Sequence, residues 1–213
     1  MIAHLFEYRA VLGHEAELRG FLRNGPLRAP LPNGAEALFA ARRLSKLGRE
    51  NVAVTVFRDV TTCDRCTDAT GLPNYLDQVL PLLGDRAISR YRVLASSGLG
   101  HLGARVLRLY RTSIATAAVE QWEQRALGSA SRLAEMRGLT TIVAGVQVDS
   151  EDAVGQGAET CVVVITTWTE WDLLLAATGG RLNRALLDTE LGDLEAPANA
   201  DHYEIVEAEP GPG

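Results

Sequence analysis

An α+β fold is predicted for this chain: two tandem ferredoxin-like βαββαβ repeats packed sheet-to-sheet as a pseudo-dimeric α+β barrel. Three observations predict it. Apolar periodicity gives the order strand, helix, strand, strand, helix, strand, and then gives it again. Two dipeptides recur at matching places: Tyr8-Arg9 against Tyr110-Arg111 on the first strands, 102 residues apart, and Arg90-Tyr91 against His202-Tyr203 on the last, 112 apart. A βαββαβ unit carries both helices on one face of its sheet, so two units in one chain can bury their bare faces against each other. The repeats are expected at residues 1–97 and 105–208, with a linker at 98–104 and a tail at 209–213.

Each element has its own signal. Met1–Val11 alternates, with Ile2, His4, Phe6 and Tyr8 sharing one face of a strand. A helix is expected over His14–Asn24, followed by a loop holding Pro26, Pro30 and Pro32 and closed by the turn dipeptide Asn33-Gly34. Ala35–Leu44 and Asn51–Val60 read as strands turning near Gly48. Leu72–Leu83 reads as a helix with Pro73 in its first turn, where the missing N–H costs little. Ala87–Ala95 closes the first repeat as a strand, and Ser96–Gly103 is Gly-rich.

The second repeat opens with strand Arg105–Ile114. Thr116 is placed to cap a helix whose apolar residues Val119, Trp122, Ala126, Leu133 and Met136 fall near helical spacing. Leu139–Val148 and Thr160–Trp168 are strands joined by the acidic loop Asp149–Ala158. Trp171–Leu191 reads as a helix interrupted at Gly179-Gly180, His202–Ala208 as the last strand, and Glu209–Gly213 as a frayed tail.

Composition bounds the function. The 213 residues are 46% apolar and 23% charged, which suits a globular core and excludes wholesale disorder. A formal charge of −6 argues against sequence-independent nucleic-acid binding, which needs a basic face. Arg42, Arg43, Lys46 and Arg49 read as a solvated hairpin end. No apolar run approaches the ~18 residues of a membrane span. Glu7 and Arg9 interrupt any leader-like apolar region, and three cysteines do not make a disulfide framework. A cytoplasmic protein is expected, with no nucleic-acid or membrane partner, as a monomeric pseudo-dimer or a homodimer.

The chain resembles the dimeric α+β barrel superfamily, particularly its antibiotic-biosynthesis-monooxygenase-like group. The second half carries the better match: Val162-Val163-Val164-Ile165-Thr166-Thr167-Trp168-Thr169-Glu170-Trp171, then a helix, then Tyr203-Glu204-Ile205-Val206. Most members are single-repeat homodimers, which a tandem chain would mimic. The resemblance implies a cofactor-independent monooxygenase or related tailoring enzyme, with a flat phenolic or polyketide aromatic and dioxygen as substrates. It implies that Trp168 lines the pocket, as a Trp at the end of the third strand often does in the family. The haem-degrading members place a histidine about ten residues after that Trp. Thr178 stands there, and no histidine lies between His101 and His202. An Asn often found near the end of strand one corresponds approximately to Tyr8 and Tyr110.

The residues themselves allow the same chemistry. Tyr8, Tyr110 and Trp168 offer flat apolar surface with polar handles. A cofactor-free oxygenase must stabilise a substrate phenolate or enolate and exclude water. Trp168, Tyr110 and His4 are the catalytic candidates, with Phe6, Tyr8 and Arg108 as substrate-binding residues. Arg108, Tyr110 and His4 share the register of the two tyrosines, expected to face a pocket between the sheets. Each also has a reading as core packing. No bound cofactor and no metal are expected.

Two other readings are carried. One is a non-catalytic barrel binding an aromatic or haem. The other is an NAD(P)-dependent oxidoreductase using Gly98-Leu99-Gly100-His101-Leu102-Gly103, which requires a helix straight after the glycines and an acid about 20 residues on. Cys63-Asp64-Arg65-Cys66 is a CxxC without the second ligand pair of a zinc site, and reads as a coincidental loop pair.

Overall fold

The structure is a computed structural model that describes residues 1–24, 33–43, 50–67, 80–101, 103–148, 159–182, 186 and 199–210. The element order is β1 (Ile2–Ala10), α1 (Glu15–Asn24), β2 (Ala35–Arg43), β3 (Glu50–Phe57), α2 (Val60–Cys66) and β4 (Leu83–Ser97), then β5 (Val106–Ala115), α3 (Val119–Leu133), β6 (Leu139–Gln147), β7 (Glu159–Trp168), α4 (Trp171–Ala177) and β8 (Asn199–Pro210). The order βαββαβ therefore occurs twice, as the periodicity predicts.

The chain forms two compact units. Unit 1 holds Met1–Ser89 and Tyr203–Gly213, and unit 2 holds Arg90–His202. The division falls inside β4 and β8, the last strands of the two repeats. In unit 1 the strands run β1, β3, β2, then the Tyr203–Pro210 part of β8, with antiparallel pairing throughout. In unit 2 they run β5, β7, β6, then the Arg90–Ser97 part of β4, again antiparallel. Each unit thus completes its sheet with the last strand of the other repeat.

The strands follow from their side chains. Val52, Val54 and Val56 of β3 and Val162 to Ile165 of β7 are β-branched and buried. The run in β7 is continuous because both faces of that strand are covered. In unit 1, Leu18 of α1 packs on Phe6, Tyr8 and Ala10, and Cys63 of α2 packs on Ile2, Leu38 and Phe57. In unit 2, Trp122, Ala126, Ala130 and Leu133 of α3 pack on Tyr110, Ile142 and Val164. Their spacing of three and four residues makes the apolar stripe that holds α3 to the sheet.

Several elements differ from expectation. The strand predicted to reach Val60 stops at Phe57, and α2 begins at Val60. Asp59 caps that helix: its Oδ1 accepts from the Thr62 amide at 2.7 Å, which holds the Asp59 carboxyl below its usual range. Cys63 and Cys66 therefore lie on a helix rather than in a loop. Both are free thiols, and burial pushes the Cys66 thiol up.

Thr116 does not cap α3. A 3-10 turn over Thr116–Ala118 leads in, the cap position is Ala118, and Thr116 Oγ1 instead pairs with Thr160 Oγ1 at 3.0 Å. The helix from Trp171 ends at Ala177, where Thr178 caps it and Gly179 and Gly180 take the left-handed φ of +60° and +73° that glycine alone adopts freely. β8 continues through Glu209 and Pro210, which pair with Leu38 and Ala37. The predicted helix over Leu72–Leu83 falls mostly outside the described residues, and its last position, Leu83, opens β4.

Candidate functional site

The alternation of β1 and β5 sets which candidates share a face. His4, Phe6 and Tyr8 alternate along β1, and Arg108 and Tyr110 along β5. All five are buried, as is Trp168 at the end of β7. The predicted register is correct, and the predicted location is not. Phe6 and Tyr8 pack against Leu18 of α1, Tyr110 against the α3 stripe, and Trp168 against Leu174 of α4. The candidates therefore sit on the helix-covered face of their own sheet, not on the face opposite the helices. They also fall into two sets: His4, Phe6 and Tyr8 in unit 1, and Arg108, Tyr110 and Trp168 in unit 2.

Unit 2 holds the polar set. Arg108 stands directly across from Thr166 in the β5–β7 register, and Tyr110 across from Val164. Thr166 Oγ1 accepts a hydrogen bond from Trp168 Nε1 at 3.0 Å, which satisfies the indole and fixes its plane. The Arg108 guanidinium lies 5.0 Å from the Tyr110 ring centroid. Its Nε and Nη2 both donate to the Leu182 carbonyl, at 3.3 and 3.2 Å. Arg108 has no solvent exposure, and that burial lowers its pKa to about 10, with Tyr110 opposing the shift.

The reason for α4 lying against this patch is local. Glu170 is extended at the cap position, so the chain turns two residues after Trp168, and Leu174 lands on the indole. Leu182 and Leu186 join the same cluster. Periodicity did not single out Thr166 or the Leu182 carbonyl, because their roles depend on strand register and on chain 74 residues away. Trp122, one of the apolar residues at helical spacing in the sequence, is fully buried on α3, and its Nε1 has no hydrogen-bond partner among the described residues.

Unit 1 holds an aromatic set. Phe6 and Tyr8 stack with centroids 5.0 Å apart, and His4 meets Phe57 edge-on at 6.4 Å. Phe57 holds the place that Trp168 holds in unit 2: each is the last residue of the repeat's third strand, two residues before a helix cap. Both repeats carry an aromatic residue at this position. Arg108 has no guanidinium counterpart at Phe6 of β1, its equivalent in the Tyr8/Tyr110 alignment.

The remaining motifs resolve simply. Gly98–Gly103 leads into strand β5, not into a helix, so the context of a dinucleotide fingerprint is absent. Gly98 is needed for another reason. Its φ is +73°, and a Cβ there would collide with the Thr140 carbonyl oxygen. Thr178 donates its hydroxyl to the Leu174 and Leu175 carbonyls at 3.0 and 3.2 Å, a helix-ending role that does not fit an iron ligand. His14 pairs with Glu17 at 3.0 Å, His101 is exposed, and His202 lies 5.9 Å from the Trp171 ring. Among the described residues no three His, Cys, Asp or Glu side chains are grouped to hold a metal. Arg42 and Arg43 are ion-paired to Glu204 and Glu50. No helix among the described residues is long and apolar enough to cross a membrane.

Comparison with known proteins places the fold. No protein-family model matches the chain, and no curated protein does. A proposed monooxygenase of Fusobacterium nucleatum matches with a TM-score of 0.74 at 11% identity, covering 100% of this chain and 95% of that one. A proposed monooxygenase of Lactobacillus acidophilus also reaches 0.74 at 11% identity, covering 98% and 96%. An anthrone oxidase-like protein reaches 0.65 at 9% identity, covering 100% and 94%. The chain therefore shares its α+β fold, over nearly its whole length, with these solved structures.

Proposed function

We propose that the protein is a cofactor-independent monooxygenase acting on a flat phenolic aromatic, and that its site is the helix-covered patch of unit 2. The observation that carries this reading is Arg108: a fully buried guanidinium over the Tyr110 ring, on the same sheet patch as Thr166 and Trp168. The fold shared with proposed monooxygenases and an anthrone oxidase-like protein supports it.

The chemistry follows from charge. An anthrone-type substrate loses a proton to give a phenolate. Arg108 stabilises that anion, and in a site closed to water the stabilisation is large. The substrate oxygen takes the place of the Leu182 carbonyl on the guanidinium. Tyr110 and Trp168 hold the ring system by stacking. The electron-rich carbon then reduces dioxygen, forming a C–O bond. The resulting hydroperoxide loses water and leaves a carbonyl, so one dioxygen yields one quinone and one water. In this reading the reacting set is Arg108, Tyr110 and Trp168, all within unit 2, while His4, Phe6 and Tyr8 form a separate set within unit 1.

The experiment is air oxidation of anthrone-type phenols by the purified chain, followed by oxygen uptake and quinone absorbance. Turnover above background is expected, and Trp168→Phe, Tyr110→Phe and Arg108→Met are each expected to lower it by about tenfold or more, the loss of ~1.4 kcal/mol of transition-state stabilisation. Turnover at the background rate, or turnover indifferent to all three substitutions, overturns the reading.

A further inference from the structure

Unit 1 contains a cleft of about 370 Å³, within the range of small-ligand pockets. Its walls include Glu7 and Arg9 of β1, Arg43 and Glu50 at the facing ends of β2 and β3, Arg86 of β4 and Tyr203 of β8. Three guanidiniums, three carboxylates, two phenols and a carboxamide surround a single alanine side chain. Such a lining rejects the flat apolar substrate proposed for unit 2. None of Arg108, Tyr110 and Trp168 belongs to it.

The charges are arranged, not merely mixed. Both oxygens of Glu50 are taken: Oε2 by Arg43 at 2.7 Å and Oε1 by Arg9 at 2.9 Å. That trio carries a net positive charge, which Asp85 meets only from the solvent side, 3.5 Å from Arg9 and 87% exposed. Arg86 is exposed and forms no ion pair among the described residues, so its planar fork is available to a carboxylate. Glu7 brings the opposite sign. Tyr203 Oη donates to its Oε1 at 3.5 Å, so the carboxylate is turned towards the same wall as Tyr203.

We propose that this cleft binds a small α-amino acid, its carboxylate on Arg86 and its ammonium on Glu7. A simple anion would face Glu7 unfavourably, and a simple amine would leave the Arg86 side unmet. A zwitterion satisfies both.

The test is isothermal titration of the whole chain with L-serine, L-glutamine and L-phenylalanine up to about 10 mM, tenfold above a dissociation constant of ~1 mM. At least one is expected to bind one-to-one. N-acetylation of that amino acid, its decarboxylation to the amine, Arg86→Ala and Glu7→Gln are each expected to weaken binding by about tenfold, ~1.4 kcal/mol. Arg86 is exposed, so its replacement leaves the fold intact. Arg108→Met is expected to leave amino-acid binding unchanged, which separates this cleft from the oxidation site. Absence of binding by all three amino acids, full affinity in Arg86→Ala, or equal affinity for the N-acetyl compound overturns the proposal.

Discussion

The Arg108 guanidinium lies 5.0 Å from the centre of the Tyr110 ring, with both residues buried beneath the helices of unit 2. The two are adjacent on one face of β5, so the strand itself fixes their approach. Arg108 is expensive where it stands. Burial lowers its pKa from the usual arginine range to about 10, an energetic cost on the order of 3 kcal/mol. The cost applies at every pH below about 10 and fades only as the pH rises above that value, where the folded form sheds the proton first.

Replacing Arg108 by Met removes that cost and leaves the Leu182 carbonyl without this donor, a penalty of ~1–3 kcal/mol. The two nearly cancel. The melting temperature of Arg108→Met is expected to stay within a few degrees of the parent, while oxidation of the phenol is lost. Arg108→Ala, which leaves a void as well, is expected to be destabilised by about 2–5 kcal/mol. A collapse of Arg108→Met as severe as that of Arg108→Ala would mark the arginine as structural.

The two buried tryptophans are expected to respond differently to the same change. Trp168 Nε1 is bonded to Thr166, so Trp168→Phe loses a hydrogen bond and leaves the Thr166 hydroxyl without that donor. Trp122 Nε1 is an unmatched buried donor among the described residues, so Trp122→Phe removes a liability worth ~1–3 kcal/mol along with some packing. Urea denaturation should show Trp122→Phe the milder of the two. The reverse order contradicts this account of the hydrogen bonding.

Three glycines of the turn before β5 separate backbone demand from motif. Gly98 needs a left-handed φ and has the Thr140 carbonyl against it; Gly103 has φ +96° in open space; Gly100 has open space and no unusual φ. Gly98→Ala should be the most damaging, Gly103→Ala should cost ~1 kcal/mol, and Gly100→Ala should be close to neutral. NAD(P) titration should give no signal in any of them. Equal effects at all three, with nicotinamide binding, would restore the dinucleotide reading.

Glu50 supplies a pH signature. The hydrogen bond from Arg43, followed by that from Arg9, outweighs partial burial and holds its carboxyl below the usual 4.5. A carboxylate lowered in the folded state contributes stability above its unfolded pKa and loses it as the pH falls through the folded value. Glu50→Gln should therefore reduce stability at neutral pH and flatten the acid limb below about pH 4.5. An unchanged acid limb contradicts the assignment.

Much of the fold was legible because long strands and α3 carry strong periodicity. Val162 to Ile165 announces β7, and Trp122, Ala126 and Leu133 announce α3. The helix α2 was not, because seven residues are too few to show a period, and only the spacing of Asp59 and Thr62 marks its start. For the site, alternation grouped Arg108 with Tyr110 and His4 with Tyr8. It could not say which face the helices cover, since β1 and β5 are buried on both sides. Partners set by register, such as Thr166 opposite Arg108, lie beyond any local pattern.

The central proposal is that a buried guanidinium in unit 2 holds a substrate phenolate. It is tested most directly by titrating the ultraviolet absorbance of a non-oxidisable hydroxyanthracene analogue bound to the protein. The phenol pKa should fall by about one unit or more on binding to the parent chain, ~1.4 kcal/mol of preference for the anion, and return to its free value in Arg108→Met. A bound phenol with an unshifted or raised pKa in the parent would contradict the proposal.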